Sequence, residues 1–114
     1  MNIKDISKAM AIFEEAALKQ AESIELGNYK LANEYHSKIV GSVDYLRKLN
    51  KISDLRIFLS HKYVGVRVWS AAFLLKDFEK ESLAVLRSIA SGEGIHSLTA
   101  QTTIDVWNKG EIKL

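Results

Sequence analysis

Apolar residues recur at steps of three and four along most of this chain. From Ile3 the stripe continues through Ile6, Met10, Phe13, Ala17, Ala21 and Ile24, which is the period of an amphipathic helix of about six turns. Lys4, Lys8, Glu14, Glu15, Lys19 and Glu22 fall on the other faces, with Glu15 and Lys19 spaced as a favourable pair four apart. Gly27, directly after Leu26, predicts a left-handed stop, and Asn28 predicts a cap for the second helix. A second stripe of Ala32, Tyr35, Ile39, Val43, Leu46 and Leu49 predicts a helix from Tyr29 to Leu49, with Glu34 and Lys38 paired on its wet side. So short a connection folds the two helices into an antiparallel hairpin. Gly41 is worth about 1 kcal/mol less than alanine inside a helix, and a close helix crossing there would explain it.

The most apolar stretch is His61 to Leu75. Val66, Trp69 and Phe73 recur at helical spacing, and Val68, Ala71, Ala72 and Leu75 fill the neighbouring stripe, so this helix is apolar over most of its circumference. Such a helix must be covered on several sides. Arg67 is the only charge between Lys62 and Lys76. A lone buried charge is expensive, so an acid on a neighbouring helix is expected beside it, with a ligand phosphate or carboxylate as the alternative. Ser53 is the expected cap of a short helix, Asp54 to Leu59, burying Leu55, Phe58 and Leu59. A Ser60–Gly65 linker leads from there into the central helix. Asp77 and Phe78 interrupt that helix. Glu79 to Ser91 then places Leu83, Leu86, Ile89 and Ala90 on one face, with Glu79 and Glu81 where the helix dipole favours acid. Gly92 and Gly94 mark a turn, the last helix runs from His96 to Asn108 over Ala100, Ile104 and Trp107, and Gly110 closes it. Trp69 and Trp107 are in phase with their stripes and are expected in the core. No period-two strand pattern appears, so the expected class is all-α.

At 114 residues the chain is expected to form a single helical domain over 1–114. Proline is absent, which leaves long helices uninterrupted, and cysteine is absent, which removes disulfides and thiolate metal sites. Sixteen basic and 14 acidic residues give a net charge of +2; residues 1–50 carry seven of each sign, and residues 51–114 carry nine basic against seven acidic. Neither half has the one-sided field of a dedicated nucleic-acid binder. The N-terminus has no apolar run of signal-peptide length, and no stretch approaches the roughly 18 apolar residues that span a bilayer. A cytoplasmic protein without membrane contact is expected.

Candidate chemistry is sparse. His36, His61 and His96 lack ligand spacing to one another, and no carboxylate pair completes a metal face. Glu14 and Glu15 are adjacent and point in different directions on a helix. Gly92-Glu93-Gly94 follows a helix rather than a strand and is too short for a phosphate loop, and no GxSxG elbow exists. No catalytic activity, cofactor or metal is therefore expected. Arg47, Lys48, Lys51 and Arg56 concentrate positive charge near the end of the second helix, partly as dipole complementation. A weak nucleic-acid contact there is a lesser alternative, because no aromatic residue is interleaved.

From Ser53 onward the helices form two units of similar length, Asp54–Leu59 with Val64–Lys76 and Glu79–Ser91 with His96–Asn108, each ending in a tryptophan-bearing helix. The string Val66-Arg67-Val68-Trp69-Ser70-Ala71-Ala72-Phe73-Leu74-Leu75 resembles the second helix of a HEAT-type repeat. Leu83-Ala84-Val85-Leu86 with Ile89-Ala90, Thr103-Ile104, Trp107 and Gly110, and Tyr29-Lys30-Leu31-Ala32-Asn33, extend the likeness over most of the chain. As a whole it resembles a family of small bacterial all-helical proteins of unknown function with a HEAT-like α-α superhelix. Where HEAT-type repeats often carry a proline before the arginine helix, this chain has His61-Lys62-Tyr63-Val64-Gly65.

The resemblance implies an N-terminal helical hairpin followed by HEAT-like stacked helix pairs. Because some members resemble immunity proteins encoded beside polymorphic or contact-dependent toxins, it also implies a cognate protein toxin domain as partner. In such a stack the second helices line the concave side. Their outward positions here are Glu34, Lys38, Asp44, Tyr45, Ser70, Gln101 and Asp105. An inhibitor of a nuclease would set carboxylates where the toxin expects phosphate, so Asp44, Tyr45 and Asp105 are the candidate partner-binding residues. A generic scaffold or oligomerisation module is the alternative.

Overall fold

Asp5 starts the first helix, its carboxylate accepting the backbone N–H of Lys8 at 2.7 Å and satisfying one of the donors that a helix start leaves free. The computed structural model describes Ile3 and residues 5–111; Lys4, expected on the wet face of this helix, lies outside the described residues. The elements are α1 (Ile6–Glu25), α2 (Tyr29–Lys48), a 3₁₀ helix (Ile52–Ser60), α3 (Val64–Leu74), α4 (Glu79–Ala90) and α5 (Ile95–Asn108). Among the described residues all regular structure is helical, and the chain is all-α.

The hairpin of α1 and α2 forms as its turn residues dictate. Gly27 takes φ 73°, its N–H reaches the Ile24 carbonyl, and the Asn28 N–H reaches that of Ser23 at 2.8 Å. That is a Schellman closure. The Asn28 side chain then caps α2 by accepting the Leu31 N–H at 3.1 Å. The same closure ends α2, with Asn50 at φ 57° and the Lys51 N–H on the Leu46 carbonyl at 2.7 Å.

Ser53 does not cap the third helix. Lys51 holds that position with no side-chain cap, and Ser53 lies inside the 3₁₀ helix. The Lys51 carbonyl accepts the Asp54 N–H, an i to i+3 bond, so the chain passes from the end of α2 straight into the tighter helix.

Two clusters of buried side chains form the core. Phe13, Ile39, Leu46, Leu55, Val66 and Leu74 belong to the first, where Phe13 and Phe58 stack at 5.6 Å. Val68, Ala71, Leu75, Leu86, Ala100 and Ile104 belong to the second. Half-buried Trp69 and Leu59 pack against both. Helix α3 contributes to each cluster and packs against α1, the 3₁₀ helix, α4 and α5, the several-sided covering that its composition demands.

Some expectations are corrected. Gly65 belongs to α3, not to a linker, and it marks a close helix crossing. A Cβ there would stand 2.5 Å from the Ala21 Cβ and 3.0 Å from the Ala17 carbonyl oxygen. Ser70 is fully buried rather than outward, its hydroxyl donating to the Arg67 carbonyl at 3.1 Å. Leu49 comes after the last residue of α2 and is exposed, because the stripe runs past the helix end. Lys19 reaches Glu22 at 3.7 Å rather than Glu15, and Lys38 stands over the Tyr35 ring rather than pairing with Glu34.

Arg67 meets no acid among the described residues. Its Nη1 donates to the carbonyls of His61 at 2.8 Å and Lys62 at 3.2 Å. Backbone oxygens of the preceding turn satisfy that nitrogen without a counter-charge.

Candidate partner-binding surface

The end of the molecule that carries the α1–α2 turn also carries the first turn of α5. Gln20, Ala21 and Ile24 of α1, Tyr29 of α2, Val68 and Trp69 of α3, and Ile95, His96 and Thr99 of α5 enclose a pocket of about 210 Å³. The Trp69 indole N–H donates to Gln20 Oε1 at 2.8 Å, fixing the ring where it forms part of the wall. His96 Nε2 lies 2.7 Å from Glu25 Oε1, tying the start of α5 to the end of α1.

Two of the lining residues, Tyr29 and Ile95, are large apolar side chains open to solvent, and Leu26 and Leu98 stand close to pocket residues in the chain. Leu26 is 83% exposed, Tyr29 62%, Ile95 40% and Leu98 69%. Leu26 adjoins Glu25 and Ile95 adjoins His96, so the His96–Glu25 contact brings these two backbone positions to the same end of the molecule. Leu98 lies three residues after Ile95, one helical step on the same side of α5. Of the other large exposed hydrophobics of the described residues, Leu49 follows the far end of α2, Ile57 lies in the 3₁₀ helix and Tyr63 precedes α3. Large apolar side chains gathered in the open at one end of a molecule, with polar groups among them, mark a candidate binding surface. Sequence reading did not single it out: Tyr29, Ile95 and Leu98 fall outside the apolar stripes read for their helices, and nothing local says whether they are covered.

The residues singled out from the sequence lie elsewhere. Asp44 is exposed on α2, 15 residues beyond Tyr29, which is about 22 Å along a helix. Its neighbour Tyr45 is half-buried against the first core cluster. Asp105 is exposed on α5, ten residues beyond Ile95, or about 15 Å, and accepts a bond from Gln101 at 2.9 Å. No hydrogen bond or ion pair among the described residues joins the three.

The basic stretch is partly occupied internally. Arg47 donates to the Phe73 carbonyl at 3.1 Å and lies 3.9 Å from Asp77, and Arg56 grips Glu81 with two bonds of 2.6 and 3.1 Å. Among the histidines, His36 lies against the Trp69 ring and His61 against Glu14 at 2.7 Å. Among the described residues no three histidine or carboxylate side chains converge as metal ligands, and no helix is long and apolar enough to cross a membrane. Comparison of the chain with family models, curated proteins and solved structures returned no match.

Proposed function

We propose that this chain is a non-catalytic protein-binding module, and in its most specific form an immunity protein that binds and blocks a cognate bacterial toxin domain. The observation that carries the binding reading is the set of exposed apolar residues at this end, Tyr29 and Ile95 lining the pocket with Val68 and Trp69, and Leu26 and Leu98 close to them in the chain. A partner seating one apolar side chain in that pocket would cover the four exposed residues, and a buried aromatic or aliphatic anchor is where interface energy concentrates. The toxin as partner is what the resemblance to HEAT-like immunity families implies. Asp44 and Asp105, both solvent-facing, would then serve as outlying charges that steer encounter rather than hold the complex.

The test is a pull-down of this chain against the C-terminal domain encoded immediately upstream, then a titration. Nanomolar 1:1 binding that abolishes toxicity is expected, with Tyr29→Glu and Leu98→Glu each weakening it at least a hundredfold while the melting temperature stays unchanged. Binding without protection, or none, sinks the immunity reading. A concentration-dependent homodimer broken by the same two substitutions would favour the oligomerisation module.

A further inference from the structure

A groove on another side of the molecule is built around Arg67. Leu59 of the 3₁₀ helix, Arg67 of α3, and Ala84, Val85, Ser88 and Ile89 of α4 line about 240 Å³ of open space. Every wall residue apart from Arg67 and Ser88 is aliphatic, and none is acidic. The guanidinium is held in place from one end only. Nη1 is committed to the His61 and Lys62 carbonyls, while Nε and Nη2 have no hydrogen-bond partner among the described residues.

The turn that holds it is itself anchored. The Tyr63 N–H donates to His61 Nδ1 at 3.1 Å, which leaves the ring proton on Nε2 to donate to Glu14 Oε2 at 2.7 Å. Of the acids nearest in sequence to the groove walls, Glu81 is engaged by Arg56, and neither Glu93 nor Asp54 lines the groove or bonds Arg67. A half-buried, pre-positioned guanidinium thus presents its side-on fork, the pair of donors that matches one carboxylate in a bidentate geometry. Its low hydration and the aliphatic walls favour a carboxylate that arrives with apolar neighbours.

We propose that this groove docks a partner-protein segment carrying an acidic side chain flanked by aliphatic residues, the carboxylate on Nε and Nη2 of Arg67 and the aliphatic side chains on Leu59, Val85 and Ile89. Charge complementarity selects the occupant: one unpaired cation, no acid in the lining, and apolar surface on both sides of it. The site is separate from the patch at the α1–α2 turn, so it stands or falls without the toxin.

The experiment is an amide and guanidinium NMR titration of the full chain with a capped hexapeptide bearing one central glutamate among leucines and valines. Shifts confined to Arg67 Nε–H and the Leu59, Val85 and Ser88 amides are expected, with the glutamine counterpart of the peptide at least tenfold weaker. Arg67→Gln should abolish the response. Because that change also frees the His61–Lys62 turn, Ala84→Glu is the second variant: position 84 is exposed, and its carboxylate at the groove should block the peptide by at least tenfold with the fold intact. The proposal is overturned if shifts are absent or scattered at millimolar peptide, if the glutamine peptide binds equally, if inorganic phosphate moves Arg67 as strongly, or if Ala84→Glu leaves binding unchanged.

Discussion

Replacing Gly65 with alanine tests the helix crossing directly. The added methyl would meet the Ala21 Cβ at 2.5 Å and the Ala17 carbonyl oxygen at 3.0 Å, against an optimum of about 3.5–4.0 Å for carbon pairs. Neither obstacle is the end of a flexible side chain, so α1 and α3 must move apart by about 1 Å. Overpacking of this kind costs about 1–3 kcal/mol. Alanine returns up to about 1 kcal/mol of helix propensity, less here because Gly65 is the second residue of α3. The net expectation is a loss of about 1–2 kcal/mol, read as a lower midpoint in urea denaturation monitored by circular dichroism.

A double-mutant cycle with Ala21→Gly isolates the cause. Removing the Ala21 methyl should recover about 1 kcal/mol of the Gly65→Ala penalty as coupling between the two sites. Gly27→Ala is the control. Nothing lies within 4 Å of a Cβ at Gly27, but its φ is 73°; the loss of about 1–2 kcal/mol expected there comes from the backbone alone and should show no coupling to Ala21. A neutral or stabilising Gly65→Ala, or a cycle without coupling, would refute the close-crossing explanation.

Three further outcomes rest on the packing. Leu75→Ala, at a fully buried site of the second cluster, should cost about 2–5 kcal/mol; because α3 serves both clusters, fluorescence of Trp69 and Trp107 and the helical circular dichroism should lose structure at one common midpoint. Trp69→Phe removes the donor to Gln20 Oε1 and should cost about 1 kcal/mol in denaturation; retention of full stability would mean water replaces that bond without loss. In the Arg56–Glu81 pair both side chains are close to half exposed, so a double-alanine cycle should give a coupling below about 1 kcal/mol that shrinks in high salt. Arg56→Ala should exceed Glu81→Ala, because it also removes the guanidinium from over the Phe78 ring at 4.6 Å.

Helix positions were legible wherever the signal was local. The stop at Gly27 and the cap at Asn28 act through bonds spanning at most five residues, so sequence reasoning located both. The 3₁₀ character of Ile52–Ser60 was not legible, because the same apolar spacing at Leu55, Phe58 and Leu59 suits either helix. The candidate surface was the least legible of all. Whether Leu26, Tyr29, Ile95 and Leu98 are covered depends on which elements reach that end of the molecule, and nothing within a few residues of any of them says so.

The sequence by itself determined the all-helical class, the antiparallel hairpin and a central helix that had to be covered on several sides, since periodicity and capping are settled by neighbours three to five residues apart. Only the tertiary structure decided that Gly65 seats α3 on α1, that Ser70 turns inward, that Arg67 takes backbone carbonyls instead of an acid, and that His61 and His96 reach Glu14 and Glu25 across 47 and 71 residues. Those contacts are set by the angles at which packed helices cross, and a crossing angle depends on the shapes of two surfaces at once, which no single segment of the chain contains.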